Sequence, residues 1–140
     1  MIEYEKYQKS LKHLELQFAN HMRALDRPEL ATLDREAIAE SVIQRFETCY
    51  DSLWKVLKRH LVEVMGLPDV PNSPKPVFRL ADQNHLLPSP VETWFAYANA
   101  RVNTTHDYSG SKAATTLTII APFIEDAIAL YRGLTGRSWE

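Results

Sequence analysis

The sequence predicts an all-α chain, an antiparallel up-down bundle of four long helices plus one short helix. Three observations point there. Apolar residues recur at steps of three and four along most of the chain, the spacing that keeps one face of a helix apolar. The breaks between these stripes carry helix stop and start signals, with four of the eight prolines gathered in 66–76 and a Ser-Pro pair before two of the later stripes. The length, 140 residues, is that of one domain, large enough for a core without disulfides or metal. Residues 1–140 are therefore expected to form a single helical domain.

The totals narrow the function classes. A formal charge of −2 gives the surface no general pull on nucleic acid, so RNA binding would need a local basic patch. The single Cys49 cannot form an internal disulfide and reads as a buried, reduced thiol. Met1 to Ser10 carries Glu3, Glu5, Lys6 and Lys9 and lacks the apolar run of a signal peptide. No stretch approaches the roughly 20 apolar residues of a membrane span. A soluble, cytoplasmic protein is expected.

The first helix is predicted from Tyr4, Tyr7, Leu11, Leu14, Phe18, His21 and Leu25, one stripe closed by Asp26-Arg27-Pro28. His21 reads as a core-edge histidine, since no second metal-type residue recurs beside it. The second helix is predicted over about Arg35 to Met65, with Asp34 as N-cap. Its inner side is Ile38, Val42, Phe46, Cys49, Leu53, Leu57, Leu61 and Val64, and Ile43, Tyr50 and Trp54 form a second apolar line. So wide a stripe asks for neighbours on two sides, either a dimer partner or a central place in a monomeric core. Lys55, Lys58 and Arg59 share a side, with His60 adjoining, and are the candidate phosphate-binding or RNA-binding cluster. Glu47 and Asp51 stand four apart, and a salt bridge to Lys55 or Arg45 accounts for them more simply than a divalent metal.

The stiff connector from Gly66 to Pro76 follows, and Ser73-Pro74 caps a short helix carrying Val77, Leu80, Ala81 and Leu87. Ser89-Pro90-Val91-Glu92 has the pattern of a capping box, so the next helix is predicted to begin at Pro90. Its apolar side is Val91, Trp94, Phe95, Ala98 and Val102, with Arg101 on the border. A charge so near a buried seam needs a partner or a ligand. The helix should end near Thr104, because Asn103-Thr104-Thr105 and the following Asp107, Ser109 and Gly110 are weak helix formers. Ser109 or Ser111 is expected to cap the last helix, Pro122 to kink it and Gly133 to close it, leaving Gly136 to Glu140 as a tail.

The stretch from Arg101 to Tyr108 is where the chain looks chemical. Had the helix run on, Arg101 and His106 would lie about 140° apart at 100° per residue, but a turn after Thr104 can swing both toward one phosphate. The Arg-x4-His-x-Tyr pattern resembles the signature of the HEPN superfamily. Val42-Ile43-Gln44-Arg45-Phe46-Glu47, with Tyr50-Asp51 and Leu53-Trp54-Lys55, is similar to the second helix of its nucleotidyltransferase substrate-binding family. The likeness spans nearly the whole chain. It implies a helical bundle, usually a homodimer, encoded beside a minimal nucleotidyltransferase, and some such proteins are the ribonuclease toxin of the pair.

An arginine and a histidine around one phosphodiester suffice for RNA cleavage without metal or other cofactor. His106 would take the 2′-hydroxyl proton as general base, and Arg101 would hold the phosphate oxygens as charge builds on them. Asn103 is the supporting polar residue. The resemblance further implies that the nucleotidyltransferase silences such a toxin by adding AMP to the motif tyrosine, here Tyr108, where negative charge and bulk would block the site. The family commonly carries an acidic residue before the arginine and a polar one after it, whereas this chain has Ala100 and Val102. The alternative is a non-catalytic subunit that presents substrate to the nucleotidyltransferase; neither a Gly-rich phosphate loop nor an Asp-x-Asp pair occurs here. A third class, a metal phosphohydrolase built on His106-Asp107 with His60 or His85 and Asp126, has no local motif behind its other ligands.

Overall fold

The computed structural model describes residues 2–104 and 110–140. Five helices follow in order: α1 (Glu5–Ala24), α2 (Thr32–Glu63), α3 (Pro74–Gln83), α4 (Val91–Asn103) and α5 (Gly110–Thr135). The architecture is the expected helical bundle, with α3 the short member and no strand among the described residues. At 1.5 Å per residue α2 is about 48 Å long, and it touches each of the other four helices.

The α2 stripe is buried along Val42, Phe46, Cys49, Leu53, Leu57 and Leu61, while Val64 at the end of the stripe is exposed. Ile43 and Tyr50 of the second line are also buried within this one chain. Tyr50 meets Phe78 of α3 edge-on at 6.1 Å, so this part of the stripe is covered from within the chain, while Trp54 of the same line is half-buried. Six rings close a circuit through four helices. Phe46 contacts Tyr50, Tyr50 Phe78, Phe78 Trp94, Trp94 Tyr97, Tyr97 Phe123, and Phe123 returns to Phe46 at 4.9 Å. Each such pair adds about 0.5–1.5 kcal/mol beyond the area it buries, so the circuit fixes how α3, α4 and α5 seat on α2.

Helix α1 joins through Tyr7, whose hydroxyl donates to the Ala127 carbonyl at 2.6 Å and whose ring meets Tyr131. Beyond α5 the tail turns back: Trp139 packs on Tyr131, lies under the Lys12 ammonium and donates to Glu15 at 3.2 Å.

Several boundaries differ from the sequence reading. Helix α2 starts at Thr32 with Ala31 at the cap position, and Asp34 lies in the first turn, where the helix dipole favours a carboxylate. The Ser89–Glu92 capping box does not form. Pro90 takes the cap position without a side-chain bond, and Ser89 Oγ donates instead to Asp126, which also accepts from the Tyr97 hydroxyl. A charged acceptor makes the stronger hydrogen bond, so the serine ties the α3–α4 loop to α5. Gly133 does not close α5. The helix runs on to Thr135, and Gly136, at φ 71°, supplies the left-handed stop. Pro122 sits on the exposed side of α5 without ending it. Ser109 lies outside the described residues, and Ser111 falls within α5. The expectation that no stretch is long and apolar enough to span a membrane is also corrected, since Lys112–Thr135 passes on length and composition. Phe123, Ala127, Leu130 and Tyr131 within it are buried in the bundle core.

Burial pushes the Cys49 thiol up to about 12. Alkylation by a thiol reagent at pH 8 should be negligible in the native protein and complete in urea, as mass spectrometry would read. Burial also lowers the pKa of His60, whose Nδ1 has no partner among the described residues, and of His21. Because the unfolded chain takes up protons more readily near 6.5, the stability these residues permit is full above that pH and falls as pH drops through it. The urea midpoint should fall between pH 7.5 and 5.5, and His21→Gln/His60→Gln should flatten that fall.

Candidate functional site

Glu47 and Asp51 lie one turn apart on α2, a spacing that puts both carboxylates on one side of the helix. That side faces the last turn of α4. Arg101 donates from Nη1 to Glu47 at 2.9 Å, and from Nε and Nη2 to the two oxygens of Asp51 at 3.2 and 3.1 Å. Thr104, closing α4, donates its hydroxyl to the same Glu47 oxygen at 2.9 Å. The side chains are 26% exposed for Arg101 and 9% for Glu47, against 40% for Asp51. Two carboxylates around one guanidinium leave the group with a net charge of −1, and Asp51 is the more yielding partner because water reaches it. The proposed bridge from this carboxylate pair to Lys55 or Arg45 is therefore corrected: the partner is Arg101, fifty residues away in the sequence.

A cleft of about 890 Å³ opens beside this clasp, between α2, the start of α3 and the end of α4. Asp51, Trp54, Lys75, Asn99, Arg101 and Asn103 line it. Trp54 offers a half-buried aromatic wall, Lys75 an exposed cation, and the two asparagines exposed amides. The surface suits a flat, partly apolar ligand with hydrogen-bonding edges. Arg101 and Asn103 thus share a cleft although a helix separates them by about 200°, because the cleft wraps around the end of α4. His106 and Tyr108 lie outside the described residues.

The basic cluster of α2 divides. Lys55 and Arg59 line a groove of about 430 Å³ on the α1 side, with Arg59 paired to Glu63 at 2.7 Å. Lys58 turns the other way and donates to Asn72 of the connector at 3.0 Å. His60 is buried and stands apart from this cluster. Among the described residues no three of His, Cys, Asp or Glu gather as a metal would require. Asp126, considered for a phosphohydrolase, is held by Ser89 and Tyr97.

The model of the family described as "Nucleotidyltransferase substrate binding protein like" matches residues 2–136. The chain belongs to this family. As a nucleotidyltransferase substrate-binding protein-like chain it also has a neighbour of known structure, a Thermus thermophilus protein whose crystal structure aligns with a TM-score of 0.66 at 24% identity, over 87% of this chain and 98% of that one. That likeness speaks to the fold. No curated protein matches the sequence.

Periodicity could not pair the α2 carboxylates Glu47 and Asp51 with Arg101 at the end of α4, because it is a local property. The available signal was an arginine on the border of a buried seam and two carboxylates one turn apart beside Phe46 and Tyr50, for which the nearby Lys55 and Arg45 stood as competing partners. Trp54 and Lys75 as cleft walls were not legible, since the seating of α3 decides them.

Arg101→Met should leave the Glu47 carboxylate, still bonded to Thr104, without the Arg101 charge, and removing one partner of a buried pair costs about 3 kcal/mol. Asp51→Asn should cost about 1 kcal/mol or less, as for exposed pairs. Urea denaturation followed by circular dichroism measures both, and adding Glu47→Gln to Arg101→Met should restore most of the loss.

Proposed function

We propose that this chain is the helical partner subunit of a separately encoded minimal nucleotidyltransferase, holding that enzyme's substrate in the cleft beside Arg101 while nucleotide chemistry resides in the other chain. The observation that carries this reading is the Arg101 clasp. With Glu47 and Asp51 already on the guanidinium, Arg101 is turned to carboxylates and not to a transferring phosphate, and the other cation among the described lining residues, Lys75, stands exposed on a long flexible stem. Stabilising such a group requires preorganised donors directed at the developing charge. Trp54, Asn99 and Asn103 instead suit recognition, one flat face with amide edges around it. The family description supports the partnership. A homodimer and a cytoplasmic setting are part of the same proposal.

A second reading, a metal-independent endoribonuclease toxin neutralised by its partner, is favoured by the position of Arg101. It opens on the cleft together with Asn103 and stands five residues before His106 in the sequence. For Arg101 to hold a phosphate, the substrate must displace a carboxylate, and the half-exposed Asp51 is the one to leave. Ala100 and Val102 flank the arginine without the polar neighbours such a site commonly has.

Co-purification with the nucleotidyltransferase encoded nearest to this chain, followed by RNA cleavage assays in chelator, separates the readings. The subunit reading expects a stable complex and no cleavage by wild type. Chelator-resistant cleavage that is lost in His106→Ala and increased several-fold by Asp51→Asn would replace it with the toxin reading. In that case mass spectrometry after incubation with the partner and ATP should find an added adenylate on Tyr108. Failure to form any complex would overturn both.

A further inference from the structure

A row of cations runs along the seam between α1 and α2, away from the Arg101 clasp. Lys6, Lys9 and His13 succeed each other at steps of three and four on α1, and Arg45 faces them from α2 across a groove of about 200 Å³ that also takes in Ser10 and Thr48. Lys6, Lys9, His13, Arg45 and Thr48 are all exposed. Among the described residues no carboxylate lines this groove, nor its continuation of about 220 Å³ past His13 and Arg45, where Gln17 and Asn20 add amides. Lys6, Lys9 and Arg45 form no ion pair with any described residue. In a chain of formal charge −2, with carboxylates clasping Arg59 and Arg101 elsewhere, so long a stretch without an acid departs from the mixed surface that solubility asks for.

The seam is also continuous with the cleft. Lys6 and Thr48 line both the seam and the next groove, which holds Lys55 and Arg59 together with two carboxylates, Glu3 and Asp51, so the acid-free stretch ends where this groove begins. Asp51 lines both that groove and the cleft with Trp54. From Lys6 to Asn20 the seam covers about 21 Å of helix at 1.5 Å per residue.

We propose that the α1–α2 seam is a phosphate track, on which Lys6, Lys9 and Arg45 hold the backbone of a single nucleic-acid strand and lead its end toward the cleft at Trp54. Among the described residues the track has no Phe, Tyr or Trp platform for bases, so it grips phosphates without reading sequence. Any base recognition falls to Trp54 and the asparagines of the cleft. This inference rests on the proposed function only for the view that the cleft receives substrate; binding by the seam does not require cleavage or the nucleotidyltransferase.

The test is fluorescence anisotropy with a labelled 15-nucleotide single-stranded RNA between low and moderate salt, on the whole chain. The seam variant is Lys6→Glu/Lys9→Glu/Arg45→Glu. The control, with the same change in net charge, is Arg23→Glu/Lys112→Glu/Arg132→Glu. Circular dichroism confirms that each variant is folded. The expected result is binding by wild type, at least a tenfold loss in the seam variant and less than threefold loss in the control. The slope of log affinity against log salt should fall by about 2, from about 0.7 per phosphate contact on single strands. Equal losses in both variants, or no RNA binding by wild type at low salt, would overturn the track. If ATP or tripolyphosphate binds the seam and the RNA strand does not, the phosphate chemistry stands but the strand is refuted. Loss of the nucleotidyltransferase complex in the seam variant, with RNA binding intact, would make the seam a protein-docking face and also refute it. Absence of any partner complex with normal RNA binding would sink the proposed function and leave the track standing.

Discussion

Much of the molecule's arrangement near the cleft hangs on one guanidinium. Helices α2 and α4 touch only lightly, and it is Arg101, with three hydrogen bonds to Glu47 and Asp51, that holds the last turn of α4 against α2. The clasp is asymmetric. Glu47 is nearly sealed and takes a second bond from Thr104, while Asp51 borders both the cleft and the groove holding Lys55. Burial makes the inner half costly to break, and solvent makes the outer half cheap to rearrange. A ligand that reaches Arg101 from the cleft meets Asp51 in the same lining.

The aromatic circuit does for the fold what the clasp does for the site. Phe46, Tyr50, Phe78, Trp94, Tyr97 and Phe123 come from four helices, and each ring contacts two others in the circuit. The helical stripes containing them were legible in the sequence because a 3.6-residue period is a local property. Which ring meets which was not, because that depends on how the proline connector delivers α3 to the flank of α2. For the same reason the second apolar line of α2 could be read equally as a dimer face or as core; Phe78 covers Tyr50 and puts it in the core, while Trp54 of the same line stays half-buried at the cleft.

Helix ends were the weaker part of the reading, and the misses share a cause. Ser89 has the right chemistry for a cap, but a carboxylate on a distant helix, Asp126, competes for its proton and wins. Gly133 has the right freedom to stop a helix, but the backbone takes the left-handed turn at Gly136. Local signals state what a residue can do, and tertiary partners choose among the options. The candidate site follows the same rule. Arg101 and Asn103 were legible from their place at the end of α4, Lys55 and Lys58 were grouped by helical spacing and then parted by the connector, and the carboxylates awaiting Arg101 lay too far along the chain for any pattern to join.

The tie between Tyr7 and the Ala127 carbonyl, and that between Glu15 and Trp139, join points separated by more than one hundred residues. Contacts so remote along the chain form late, after the entropy of a long loop has been met. During synthesis on the ribosome α1 can pair with α2 as a hairpin well before α5 emerges, so the basic seam between them takes shape early, while Tyr7 and its neighbours stay open to water. Only when residues 127–139 arrive is that apolar side sealed. A nascent chain stalled in between would present a finished cationic groove on an unfinished core, a form inclined to associate with polyanions and with chaperones at once.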